Sequence, residues 1–559
     1  MRYCCLFFVL GWPLIAQVRT AASPQSDENR CALQGRITDA LTGEPVAKAT
    51  IQLRMRAPYA NAPVYSGTSE ADGTYKFANV DPGPYNLNVS SSGYADSSYG
   101  ASLAIPTGAV LNLRPGQKLT KIDVVLMPLG TVSGRVTDEN GNPAEKASVA
   151  VLGSVWYRGE IRYTLQNGAR TDELGQFRIS NIRPGKYYLM VLRLGPFPST
   201  AVSRAPGKHD IRPVRTYYPN ALTLDSATPL TIKSGQQLTT MDIQLRNSAT
   251  YHLRGQVSGA APEHLAVALV LRDGQSAVLL PDLVTVKEDH TFDIPGVPPG
   301  SYTLCAFPTG PLNALGRQDV KINNADLNNL QLVLSPASVQ AHITVENNPP
   351  AGVAPIDLKS IGILLQATEP MGRRGYIRPS VREDGTLAFE NLAPCKYAVL
   401  IGGLGKVYVK SIQFANREIL AQELDLTHGG GELNVVLRYG PAELRGTIPE
   451  LHNNPKAARD VTLALISDTA PEDPFGIRTL AVERGWSFVM GNIPPGHYHA
   501  YAIEKLDSTQ LQNPKVLKAL QSYSTEINLF ENDRKQIELP LITADQMQQI
   551  YAQPGIETP

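Results

Sequence analysis

His497 and His499 stand two residues apart, so in a strand both imidazoles point to one face. Two imidazoles make half of a tetrahedral zinc site. No third ligand is identifiable beside them, and they read as solvent-facing strand residues. Beyond residue 22 the cysteines are Cys31, Cys305 and Cys395, an odd and scattered set that fits neither a disulfide framework nor Cys-x-x-Cys metal spacing. Cys305, inside Tyr302-Thr303-Leu304-Cys305-Ala306-Phe307, reads as a small core residue. Asp72-Gly73 and Asp384-Gly385 lack the spaced acidic ligands of a calcium loop and read as turns. No nucleophile elbow, phosphate loop or paired-carboxylate arrangement stands out. The expectation is a chain with no catalytic residue, no metal and no cofactor.

Aromatic clusters are the stronger candidates. Trp156-Tyr157 with Tyr163, Tyr217-Tyr218, and Tyr94 with Tyr99 fall in expected loops or strand edges. Exposed rings bind sugars by stacking on their C–H face, helped by amide and carboxylate hydrogen bonds. Trp156, Tyr157, Tyr163, Tyr217 and Tyr218 are therefore the candidate ligand-binding residues. The competing expectation is that such rings fill contacts between domains or anchor long loops. Trp486 alternates with Phe488 and reads as core.

The elements that would position these residues recur. An apolar strand end followed by Pro-Gly-x-Tyr occurs at Phe77–Tyr85, Phe177–Tyr187, Phe292–Tyr302 and Phe488–Tyr498, and with Cys395 in place of Gly at Phe389–Tyr397. The Tyr-to-Tyr spacings are 102, 115, 95 and 101 residues, a domain length and too long for a solenoid unit. Pro presets φ and cannot donate to a ladder, while Gly can take φ > 0, so the phrase marks a tight reversal. The Tyr after it is expected to cover the core with its hydroxyl tied to nearby backbone. At Cys395 either φ is negative or the turn is strained. Each copy opens with an alternating strand, such as Leu33-Gln34-Gly35-Arg36-Ile37-Thr38-Asp39 and Val132-Ser133-Gly134-Arg135-Val136-Thr137-Asp138, and closes with one such as Ile122–Leu126. About seven strands per hundred residues argue for a β-sandwich. Short connections such as Met127–Gly130 predict repeats in series with limited swing. The segment Tyr188–Pro229 is a long Pro-rich insert, and Asn513–Gln521 is the one expected helix, with Pro514 in its first turn and Val516, Leu517 and Leu520 on one face.

Composition bounds the compartment and partners. The 559 residues carry 51 basic and 51 acidic side chains without a Lys/Arg block, which disfavours nucleic acid. Arg2, an apolar stretch from Cys4 to Leu10 and Trp12 to Ala16, and Thr20-Ala21-Ala22 read as a signal peptide over residues 1–22. No later stretch is apolar enough for a transmembrane helix. The expected location is secreted, periplasmic or cell envelope.

Gly-Arg-Ile/Val-Thr-Asp, Gly-x-Pro, the Asp-Gly turn and Pro-Gly-x-Tyr together resemble the carboxypeptidase regulatory-like domain, in the arrangement of multi-copy secreted bacterial proteins. The resemblance implies an all-β tandem array of five transthyretin-like Greek-key β-sandwich domains, grouped with carbohydrate-binding-like folds. It is close in repeats one and two and weakest in four, where Ala341 and Cys395 replace glycines. The expected division is repeat 1 at 30–128, repeat 2 at 129–247, repeat 3 at 248–335, repeat 4 at 336–438, repeat 5 at 439–541 and a flexible tail at 542–559. In metallocarboxypeptidases the domain is an appendage to a catalytic one with a His-x-x-Glu zinc pair, and none of the nine histidines here has Glu three residues later. The implied function is non-catalytic binding of a polysaccharide, with envelope protein–protein adhesion or a structural spacer as the alternative.

Overall fold

The computed structural model describes residues 29–554 and 556, apart from 57–62, 102–107, 195–209, 260–263, 274–275, 281–282, 309–312, 374, 384, 453–460, 470–475 and 483–485. The signal-peptide expectation and Asp384 lie outside the described residues. Among the described residues the chain is all-β in its body, and ten sheets fall two to each copy of the tyrosine phrase.

Repeat one sets the pattern. Cys31–Asp39 pairs antiparallel with Thr74–Val80 and parallel with Lys118–Leu119 and Val124–Leu126. Opposite it, Thr50–Met55 lies between Val64–Thr68 and Gly83–Ser90. Leu33, Ile37, Ile51, Leu53, Phe77, Tyr85 and Leu87 interdigitate between the two sheets, each contributing about 1.5–3 kcal/mol by leaving water. Parallel pairing of the opening and closing strands recurs in all the other repeats.

The recurring sequence phrases have structural jobs. A Cβ at Gly35 would stand 2.0 Å from the Ile122 carbonyl oxygen, and one at Gly134 2.3 Å from that of Met241. Glycine there admits the closing strand. Where repeat four has Ala341, the parallel ladder from Val339–Val345 to Gly431–Leu437 runs without a gap. The following arginine ties the Asp-Gly turn down: Arg36 Nε donates to the Asp72 carbonyl (2.9 Å) and Arg135 Nε to that of Leu174 (2.8 Å).

The tyrosine corner forms in every copy. Tyr85, Tyr187, Tyr302, Tyr397 and Tyr498 donate their hydroxyls to the carbonyls of Asp81, Arg183, Pro298, Ala393 and Pro494, at 2.7–3.0 Å. At the divergent copy Cys395 is absent from the residues with positive φ, and its N–H donates to the Ala393 carbonyl two residues back (2.8 Å). The turn there is closed by a three-residue hydrogen bond and needs no glycine.

The second sheets differ in what covers them. In repeat one Thr50–Met55 alternates buried and open positions. In repeat three Leu265–Leu271 and Tyr302–Phe307 are buried at every position, as in a sheet covered on both faces. Val267, Leu269, Tyr302 and Leu304 share a core with Leu152, Met190 and Tyr217 of repeat two. Ala268, Val270, Cys305 and Phe307 share another with Phe389, Cys395 and Tyr397 of repeat four. Repeats two and three, and repeats three and four, thus share cores, which goes beyond the limited swing expected of repeats in series, while repeats one and five keep clusters of their own. The insert after Tyr188 adds to this: its strand Asp210–Val214 pairs with Arg246–Ser258, the opening strand of repeat three.

Repeat five covers its own second sheet with helices. The expected helix is α1 (Pro514–Leu520), capped by Asn513 and burying Val516, Leu517 and Leu520. The tail expected to be flexible instead forms α2 (Ala544–Tyr551). Thr543 Oγ1 accepts from Gln546 N (3.3 Å) and Thr543 N donates to Gln546 Oε1 (2.9 Å), a capping box. Met547 and Ile550 then pack with Ala464, Ile466, Tyr501 and Ile503. Trp486 is also corrected: it sits just before strand Ser487–Ile493, is 42% exposed and meets His452 edge-to-face at 5.0 Å.

Candidate functional site

A long hairpin of repeat two carries three of the candidate aromatics. Ala147–Tyr157 and Glu160–Arg170 are eleven-residue strands, joined by Arg158 (φ 51°) and Gly159 (φ 77°). Two left-handed residues make the turn whose twist suits a two-residue hairpin. The tip reaches repeats four and five. Arg158 N donates to Gln512 Oε1 (3.2 Å) and its Nη1 to the Ala421 carbonyl (2.6 Å). Arg162 Nη1 donates to the Thr368 carbonyl (3.4 Å), and Nη2 lies 3.6 Å from Glu423 Oε2.

The partly exposed rings of this hairpin meet partners within repeat two. The Tyr157 ring lies 4.0 Å under the Arg162 guanidinium, a cation–π contact, and burial pushes its phenol above the usual range. Trp156 is half-buried in the same strand, opposite Ile161. Tyr163 meets Tyr188 edge-to-face at 5.6 Å and packs on the core shared by repeats two and three. Tyr217, 2% exposed, belongs to that core as well, so its ring has no face left for a sugar. Tyr218 packs on the core of repeat two. Trp156, Tyr157 and Tyr163 are therefore brought together on one hairpin, while Tyr217 and Tyr218 lie elsewhere in two cores. Tyr94 donates to Asp39 Oδ2 (3.0 Å) and anchors its loop. His499 Nε2 lies 3.1 Å from Asp468 Oδ1. Among the described residues no group of three His, Cys, Asp or Glu is placed to hold a metal ion.

The hairpin also walls a cleft of about 1090 Å3 at the meeting of repeats two, three and four. The sheet of repeat three forms its floor, and that face changes character along its length. Ala268, Val270, Cys305 and Phe307 join repeat four, while Arg272, Ser301, Arg317, Asp319 and Lys321 line the opening. Glu369 is the hub. Its side chain is 13% exposed, and its two oxygens lie 2.7 Å from Arg272 Nη1 and 3.4 Å from Arg317 Nη1. Asp319 accepts from the Thr303 hydroxyl (2.6 Å) and from Arg317 Nη2 (3.0 Å). Partial burial works against its charge, yet these partners hold its carboxyl below the usual range. Around these pairs the lining holds Arg162, Arg272, Arg317, Lys321, Arg373 and Lys396 against Asp319, Glu369 and Asp425. The opening is cationic, and among the described residues Arg272 Nη2 and Gln318 Oε1 in its wall have no hydrogen-bond partner.

Sequence reasoning missed this cleft because its residues come from three repeats. One signal was present: Arg272 ends the apolar run Leu265–Leu271, where a charge must find a partner from another repeat.

Residues 32–126 and 131–246 each match the carboxypeptidase regulatory-like domain, so the resemblance of repeats one and two to that family is shown. Solved structures with similarity include GBS52, the minor pilin of Streptococcus agalactiae, at 13% identity over 42% of this chain and 99% of that one, with a TM-score of 0.20. BcpA, the major pilin subunit of Bacillus cereus, matches at 11% identity over 55% and 100%, with a TM-score of 0.16. The Bacillus anthracis TIE protein matches at 14% identity and a TM-score of 0.16, over 54% of this chain and 50% of that one, so the chain spans half its length. No curated protein matches the chain. No described helix is long and apolar enough to cross a membrane.

Proposed function

We propose that this chain is a non-catalytic protein-binding scaffold of the cell exterior, whose fused sandwiches hold one surface in fixed geometry for a partner. One observation carries the reading: the hairpin that bears the candidate rings is bound to repeats four and five through Arg158 and Arg162, and its Tyr163 packs on the core shared by repeats two and three. Burying apolar surface in shared cores fixes repeats two to four relative to one another, which a flexible spacer does not require. The secreted or envelope location rests on the apolar, small-residue N-terminal stretch. Carbohydrate binding is the second reading, kept by Tyr163 at the rim of the cleft.

Affinity electrophoresis through a panel of soluble polysaccharides separates the two. The scaffold reading expects unchanged mobility in every gel. Retardation by one glycan, lost in Tyr163→Ala, would restore the carbohydrate reading.

A further inference from the structure

We infer that the cleft between repeats two, three and four is a docking groove for an acidic, extended polypeptide segment, which adds as a strand to Gly316–Ile322. This rests on the scaffold reading and names the partner chemistry of its concave surface.

Strand Gly316–Ile322 ends its sheet, paired with Gly300–Pro308 on one side and, among the described residues, with no strand on the other. Alternate residues of a strand point to opposite faces, so a cleft lined by every residue from Arg317 to Lys321 has the strand's edge turned toward it. The opposite wall repeats the arrangement. Arg162 to Leu165 line it without a gap, and they belong to Glu160–Arg170, which also ends its sheet. Strand edges are commonly kept short or covered, because an open row of N–H and C=O groups is a template for another chain. The corresponding edges of repeats one and two are broken into pieces of two and three residues. The seven residues of Gly316–Ile322 are continuous.

Charge selects the occupant. Six cations face three carboxylates in the lining, and Glu369 and Asp319 are already engaged by Arg272 and Arg317. Arg162 is paired outside the lining with Glu423, so the exposed Lys321 and Arg373 carry an excess that a neutral or basic segment would leave uncompensated and that acidic side chains alternating along a strand would meet. A glycan finds less here. Of the rings in the lining, Tyr302 is 1% exposed and Tyr163 is held edge-to-face by Tyr188, so no open aromatic platform stacks on a pyranose. The volume, about 1090 Å3, stands at the upper end of ligand pockets (~300–1,000 Å3) and suits several residues of extended chain.

The test uses fluorescence anisotropy with the full chain and a labelled octapeptide of alternating glutamate and valine. Saturable binding is expected, absent for the glutamine–valine peptide. It should weaken by about tenfold in Lys321→Glu combined with Arg373→Glu, two exposed positions, and equally when alternate peptide nitrogens are methylated. Undiminished binding of the methylated peptide overturns strand addition. An oligouronate of equal charge competing at equal concentration gives the cleft to acidic glycans instead, and binding of neither probe overturns the site. A failed peptide leaves the fused scaffold standing, because that is read by cross-linking without any ligand.

Discussion

Phe307→Ala probes the core that repeats three and four share. Phe307 is 1% exposed and belongs to repeat three, yet it packs in one cluster with Phe389, Cys395 and Tyr397 of repeat four. Truncating a buried Phe costs ~3–5 kcal/mol through lost transfer energy and the cavity left behind. The cluster also holds two native reporters, Cys305 and Cys395, each 0% exposed. Burial pushes both thiols up to about 12, so at neutral pH modification proceeds through an opened state. If most of the loss falls on that opening, ~3 kcal/mol raises the open population roughly a hundredfold. The assay is stopped-flow modification by an aromatic disulfide, with each cysteine followed by mass spectrometry. Cys305 and Cys395 should accelerate together by that factor. Cys31, buried in repeat one with Sγ 3.0 Å from the Arg114 carbonyl, should keep its rate. Acceleration of Cys305 alone would refute a shared core, and equal acceleration of all three would show only global destabilisation.

Three further outcomes are expected. Tyr498→Phe should lower the stability of repeat five by about 1–2 kcal/mol, because the Pro494 carbonyl loses its donor; a urea midpoint equal to the parent's would remove the corner's structural role. A double-mutant cycle of Arg162→Met and Glu423→Gln should give a coupling of ~1–2 kcal/mol, since Glu423 is 9% exposed and Arg162 20%; urea denaturation reads it, and additivity would refute the hairpin's hold on repeat four. Asp319 has a depressed carboxyl, so its contribution is present above the unfolded value and lost as pH falls through the lower folded one. Acid should therefore loosen the cleft below pH ~4, and Asp319→Asn should remove that part of the acid dependence of Cys305 modification.

Much of the fold was legible because its signals are local. Pro-Gly-x-Tyr gave the reversal and the tied hydroxyl, whereas the close passage of the closing strand at Gly35 and Gly134 became visible only in the structure. The contacts between repeats were less legible, since they join residues hundreds of positions apart, yet one pattern pointed to them. Thr50–Met55 alternates, as a sheet with one wet face does, whereas Leu265–Leu271 and Val461–Ile466 are apolar almost throughout. Those runs mark sheets covered on both faces, by neighbouring repeats in one case and by α1 and α2 in the other; the repeat-two sheet, with Val149 and Val151 in one core and Leu152 and Met190 in another, is a third. The polar composition of the tail concealed Thr543 and Gln546 as a capping box, so Met547 and Ile550 were not seen as one face. The candidate aromatics were sound as large rings near strand ends, but Tyr217 and Tyr157 fill contacts between elements, which no local pattern distinguishes from a binding surface.

The fused arrangement is tested most directly by cross-linking Arg158→Cys to Gln512→Cys. The two positions are 354 residues apart in sequence, and the backbone N–H of one meets the side chain of the other at 3.2 Å. Treating the dilute, full-length chain with a short bismaleimide, whose span covers the length of the Gln512 side chain, is expected to link the two cysteines within one molecule and give a faster-migrating band on denaturing gels. A chain of repeats strung out in series would keep these cysteines apart, and a chain left unlinked would contradict the fused scaffold.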